Sequence, residues 1–268
     1  MTNKHAILLT GASGGLGKAI VEICIQRFPD EIIIATDIDP EVESLSDERI
    51  MGMQMDVTDE ASIEGVKRKL ESESIRVWAL VNNAGISDFF PISEKPKEQL
   101  DKIFAVNTFG AVNCVRTFLP HLVEAKGRVI NISSESIRLP AAFHPYANSK
   151  IALEALSVSM RNELALKGVK LSIVRPGAID TPFLDDLEAM KARIGDSIYK
   201  ESILRFAKAA PGEILRIIKP EKAASLILKA LTAKKPCRYY HVNNNPKLRV
   251  AQLMPHWVRD YFMRKMIK

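Results

Sequence analysis

Short apolar runs alternate along the chain with longer stretches in which apolar and polar positions recur at helical spacing. The short runs fall at 6–10, 31–37, 50–57, 77–82, 128–133, 169–175 and 238–243, are rich in Ile and Val, and mostly lack inside–outside alternation. Strands of a parallel sheet read this way, because helices cover both of its faces. Between them the spacing predicts helices over 17–28, 60–74, 97–124 with a break near Gly110, 146–166 and 221–233. Thr58 or Asp59 ahead of Glu60 marks one helix start, and Pro220-Glu221 places a proline and an acid at another. Alternation over the whole length predicts right-handed βαβ units in a single domain, residues 1–268. The fold class is α/β: a doubly wound, mainly parallel seven-stranded sheet with helices on both faces.

Two stretches depart from the alternation. Residues 181–219 follow a strand and contain Gly195 and a Pro211-Gly212 break. Ligands of open α/β sheets sit beyond the strand carboxyl ends, so this insertion is placed to cover one. Met51, Met53 and Met55 alternate on one strand; three thioethers can serve a soft metal, but a shared core face is the plainer reading. His5, His121, His241 and His256 form no ligand set, and no catalytic metal is expected.

Composition narrows the class. With 268 residues, 47% of them apolar, the chain buries a core without disulfides or structural metal, and collagenous, disordered and disulfide-rich classes are excluded. Cys24, Cys114 and Cys237 are odd in number and far apart, as reduced thiols of a cytoplasmic protein would be. The apolar run before the first glycines is too short for a signal-peptide core, and no stretch approaches a membrane span. The net charge of +6 is unevenly placed: residues 234–268 hold nine basic side chains and one acid, whereas residues 1–233 hold 29 basic and 31 acidic ones. A basic docking surface therefore belongs to the tail and not to the body.

Thr10-Gly11-Ala12-Ser13-Gly14-Gly15-Leu16-Gly17 joins the first strand to the first helix. Glycines here let the backbone turn tightly and approach a pyrophosphate at a helix N-terminus. The next strand ends in Asp37, whose carboxylate accepts ribose hydroxyls and repels a 2′-phosphate. Its neighbours Thr36 and Ile38 carry no positive charge; Lys18 is the single counter-signal. A dinucleotide site that prefers NAD to NADP follows.

Tyr146 and Lys150 share a helix face at i, i+4. A free phenol ionises near 10, and a neighbouring ammonium lowers that value toward the range of a useful base. Ser133 lies thirteen residues before Tyr146 at a strand end; Asn82-Asn83-Ala84-Gly85 ends another strand, Asn107 lies in the helix after it, and Arg175-Pro176-Gly177 precedes Thr181. Together with the glycine loop, these motifs resemble the short-chain dehydrogenase/reductase family over about residues 4–243, and loosely its hydroxysteroid and retinol dehydrogenase branch.

The resemblance implies a Rossmann-type fold and a catalytic tetrad of Asn107, Ser133, Tyr146 and Lys150. Ser133 would hold the substrate oxygen, Tyr146 would move its proton, Lys150 would bind the nicotinamide ribose, and Asn107 would hold a water beside Lys150. Cofactor contacts would come from Gly11, Ser13, Gly14, Gly15, Leu16, Gly17, Asp37, Asp56, Val57, Asn83, Ala84, Gly85, Tyr146, Lys150, Pro176, Gly177, Ile179 and Thr181. It also implies a homodimer or homotetramer through the helices near 97–124 and 146–166. A 3-oxoacyl thioester or sugar reductase and a non-catalytic dinucleotide sensor are the competing readings; the sensor reading conflicts with the retained Tyr and Lys. Nucleic acid is not an expected partner, since only the tail is basic and it carries no recognition module.

Apolar residues are expected to ring the substrate: Phe89, Phe90, Leu139, Ala141, Phe143, Pro182, Phe183 and Leu184. They favour a lipophilic alcohol or ketone. The extension 244–268 places Trp257, Val258, Tyr261 and Phe262 on one helical arc that also takes in Lys265 and Lys268, unless the helix ends near Met263. A cover over the site, a subunit contact and a peripheral membrane contact are the roles open to it.

Overall fold

The computed structural model of the chain describes residues 4–45, 48–138, 141–181, 194–195, 197–213 and 216–268. Seven strands form one sheet in the order β3-β2-β1-β4-β5-β6-β7. They are β1 (Lys4–Thr10), β2 (Ile32–Asp37), β3 (Ile50–Gln54), β4 (Ile75–Asn82), β5 (Arg128–Ile132), β6 (Lys170–Pro176) and β7 (Tyr239–Val242). Every pairing is parallel, so the expected mainly parallel sheet is wholly so.

The lack of alternation in the strands has its cause in two apolar layers. On one face Leu8, Ile34 and Leu80 pack against α2 (Glu60–Ser72), α4 (Gly110–Glu124) and α5 (Pro145–Ala165) through Ile63, Leu70, Phe118, Leu122 and Leu164. On the other, Ile7, Leu9 and Ile33 pack against α1 (Gly15–Arg27) and α7 (Pro220–Thr232) through Ile20, Cys24, Ala224 and Ile227. Adjacent residues of one strand thus feed opposite layers, and both must be apolar. Met51 and Met53 pack on the first layer and Met55 is buried in it, as a shared core face requires.

Two departures from the expected boundaries have a visible cause, and the choice of one cap is settled. Residues 97–124 form α3 (Lys97–Phe104), a π-turn over Ala105–Phe109 and then α4, so the break near Gly110 is one wide turn within a continuous rod. Gly110 sits where a Cβ would come within 2.6 Å of Val57 Cγ2, which is why the close approach takes a glycine. β3 stops at Gln54 because the Asp56 carboxylate turns the chain, accepting the Thr58 N–H at 2.8 Å. Asp59, not Thr58, caps α2 by accepting the Ala61 N–H at 2.9 Å.

Beyond the sheet, α6 (Lys200–Glu213) lies within the expected insertion, and Ile203, Phe206 and Ala207 from it join Phe143 and Ile194 in a third apolar cluster. The tail forms α8 (Pro246–Leu253), capped by the Asn245 side chain, and α9 (His256–Ile267). α9 runs past Met263 because Met266 and Ile267 pack on that third cluster.

Candidate active site

β1 is the switch point of the sheet: the chain passes from β1 outward to β2 and β3, then returns to β4 on the other side. At such a point the loops after adjacent strands diverge and leave a crevice. Here the crevice is a cavity of about 1140 Å³ running from the glycine loop and Asp37 to Tyr146, Phe206 and Leu248.

The glycine loop is held from below. Thr10 Oγ1 accepts the N–H groups of Asn83 (3.1 Å) and Ala84 (3.0 Å), while Asn83 Nδ2 donates to Gly11 O at 2.9 Å. Gly11 has φ +69°, and a Cβ there would strike the Ala84 backbone at 2.8 Å; at Gly17 it would lie 2.1 Å from Gly11 O. At Gly14 a Cβ would meet only Gly11 O, at 3.6 Å, so this side of the loop is open. α1 begins there with no side-chain cap and no acid in its first turn. Its N–H groups and dipole are left for an anion, and the residues present fit a dinucleotide pyrophosphate. Asp37 is held by the N–H groups of Ser13 (2.8 Å) and Asp39 (3.1 Å) at the far end of the cavity.

All the residues expected around the cofactor line this cavity, from Gly11 to Thr181. Asn107 does not. It is buried under the floor, its amide accepting the Ile86 N–H at 2.8 Å and donating to Ile86 O and Ser149 Oγ. Its side chain clamps the post-β4 loop to α5.

Pro145 opens α5, so Tyr146 enters the cavity at the helix start with Lys150 one turn along. Lys150 Nζ lies 5.8 Å from the Tyr146 ring centroid and donates to Ile132 O at 3.0 Å. Burial depresses the Lys150 ammonium to about 8 and pushes the Tyr146 phenol up to about 12; a hydrogen bond with Ser134 opposes the second shift. The i, i+4 spacing of Tyr146 and Lys150 predicts a phenol lowered by its cation, and the direction found is the opposite. In the chain alone desolvation by burial dominates, and the opposing influence comes from Ser134.

The serine beside the phenol is Ser134. Ser133 instead donates its hydroxyl to Glu154 Oε1 at 2.5 Å, one helical turn beyond Lys150. Arg175 Nε donates to the same oxygen at 2.8 Å, and the Tyr239 ring lies 4.0 Å from the guanidinium carbon. The ends of β5 and β6 are thereby tied to α5 beneath the reactive groups. Glu154 and Arg175 went unnoticed in the sequence as a pair: they are 21 residues apart on different elements.

Around Tyr146 the lining includes the apolar Ile86, Phe89, Phe206 and Leu248 and the ring of His144, together with the polar Glu135, Ser136, Asn244 and Asn245. His144 stacks on Phe89 at 4.3 Å and lies 5.6 Å from the Tyr146 ring; burial pushes its pKa down to about 4, so it is neutral near pH 7. Of the expected apolar ring, Phe89 lines the cavity. Phe143 and Ala141 pack instead in the third cluster and Phe90 lies under Lys95, so these three are a correction: none of them lines the cavity. Leu139, Pro182, Phe183 and Leu184 lie outside the described residues.

The short chain dehydrogenase family model matches residues 5–192. The chain belongs to that family. Relatives include estradiol 17-beta-dehydrogenase 2 of Rattus norvegicus, 30% identical over 99% of this chain and 77% of the relative. D-beta-hydroxybutyrate dehydrogenase, mitochondrial, of the same species is 32% identical over 88% of this chain and 76% of its own. A short-chain dehydrogenase from Streptomyces avermitilis superposes with a TM-score of 0.76, at 27% identity, over 98% of this chain and 96% of the other. This short-chain dehydrogenase is thus an oxidoreductase that acts on CH–OH groups with a nicotinamide dinucleotide.

Proposed function

We propose that this short-chain dehydrogenase uses NAD to interconvert a bulky, lipophilic secondary alcohol and its ketone, a hydroxysteroid or retinoid in size and polarity. The observation that carries the substrate class is the apolar share of the lining, Ile86, Phe89, Phe206 and Leu248, with an uncharged His144 stacked on Phe89 beside Tyr146. Such a lining favours a ligand that buries apolar surface, at about 25 cal/mol per Å², and disfavours a carboxylate that would lose its hydration there. The hydroxybutyrate-type substrate suggested by one relative is the less favoured of the two.

When bound, the nicotinamide takes up or returns the hydride. The protein moves the proton. Tyr146 takes the hydroxyl proton of the alcohol in oxidation and returns one to the carbonyl oxygen in reduction. Lys150, cationic below about pH 8, stabilises the phenolate and is placed to hold the ribose. Ser134, bonded to the phenol, takes over the substrate-holding role first assigned to Ser133. Asp37, fixed by two backbone N–H groups and followed by Asp39, favours ribose hydroxyls over a 2′-phosphate.

Initial rates on hydroxysteroids, retinoids, hydroxy acids and sugars, each with NAD and NADP, test the reading. Turnover of the first two classes with NAD in preference is expected. Turnover confined to hydroxy acids or sugars, or a clear NADP preference, overturns it.

A further inference from the structure

The third apolar cluster holds one face of α9 through Met266 and Ile267. The opposite face is bare. Trp257 is 74% exposed and Tyr261 61%, and with Asp260, Arg264, Lys265 and Lys268 they line a single shallow groove along the helix. The positions i, i+4, i+7, i+8 and i+11 all fall on one side of a helix, so aromatic rings and cations share a surface. On the preceding helix Leu253, at 86% exposure, and Val250, at 57%, are also in water. A soluble domain rarely leaves so many large side chains together in water.

We infer that this face docks on an anionic lipid bilayer surface. Trp and Tyr partition to the headgroup level, where ring and polar edge are both satisfied. Arg264, Lys265 and Lys268 beside them match the negative potential of anionic headgroups, and their stems can lie along the apolar surface while the charges stay in water. A second copy of this chain fits less well, because two such faces would oppose three cations against three with one acid each. No described helix is long and apolar enough to cross a membrane, so the contact is peripheral. The same two tail helices contribute Leu248 to the cavity wall and Met266 to the cluster behind Phe89 and Phe206. Docking would therefore leave α9 and the cluster it packs on between the lipid and the cavity, on the side of the lipophilic substrate proposed above; this rests on that reading for its purpose, though not for its test.

Co-sedimentation of the full chain with phosphatidylcholine vesicles, with and without phosphatidylglycerol, reads the contact directly. Binding that needs phosphatidylglycerol and weakens with salt is expected, with a drop of about tenfold or more in the combined variant Arg264→Glu, Lys265→Glu, Lys268→Glu. The pair Trp257→Ala, Tyr261→Ala should weaken it as well, while both variants keep NADH binding. The inference is overturned if the wild-type chain stays in the supernatant or if charge reversal leaves sedimentation unchanged. It is equally overturned if light scattering shows a dimer that Trp257→Ala, Tyr261→Ala splits. NADH binding and substrate turnover are measured on the same samples, so loss of the dehydrogenase reading is seen separately from loss of lipid binding.

Discussion

At the residue scale, the two serines separate chemistry from support. Ser133 shares Glu154 with Arg175, whereas Ser134 bonds the phenol. Ser134→Ala should cut kcat by about 100-fold with the melting temperature little changed. Ser133→Ala should cost stability, of the order of 1 kcal/mol, with kcat nearly kept. Steady-state rates beside urea titrations decide it; the reverse pattern restores the thirteen-residue assignment. His144 offers a pH test. Its folded pKa, about 4, lies below the unfolded value of 6.5, so its contribution to stability is complete above pH 6.5 and disappears as pH falls toward 4. The full effect is about 3 kcal/mol. His144→Phe should therefore lose less stability than wild type between pH 7 and pH 4.5; equal losses in urea midpoint contradict the assignment.

At the element scale, legibility followed geometry. The Tyr146–Lys150 relation was readable because a helix sets the i, i+4 distance rigidly. The serine was not, since Ser134 and Tyr146 stand twelve positions apart on either side of a helix start and no period sets that spacing. The strands announced themselves by continuous Ile and Val, the signature of a sheet covered twice. The π-turn at Ala105–Phe109 left no comparable signal, because its reason is tertiary: Asn107 must reach Ile86 and Ser149 at once. The Glu154–Arg175 pair is of the same kind, with both side chains nearly out of water. Glu154→Gln leaves the guanidinium without its countercharge and should lower stability by about 3 kcal/mol. Adding Arg175→Met should recover part of that loss in urea titrations, and additive losses would contradict a coupled pair.

At the scale of the whole molecule, the charge asymmetry seen in the sequence becomes spatial. The near-neutral body carries the dinucleotide crevice, and the basic excess lies largely on two helices that flank its apolar end. In the tail the arc of Trp257, Val258, Tyr261 and Phe262 is legible in the sequence, whereas the reach of Leu248 to the cavity and the anchoring of α9 by its last turn are not. Such contacts join residues more than fifty positions apart and have no local pattern.

The account rests on Tyr146 as the group that moves the proton. The most direct test compares wild type with Tyr146→Phe, measuring NADH formation from a hydroxysteroid and NADH binding by fluorescence on the same preparations. Turnover should fall below a few per cent of wild type while the binding curve is unchanged. A variant that keeps substantial turnover with intact NADH binding would contradict the proton-transfer role, and with it the central claim.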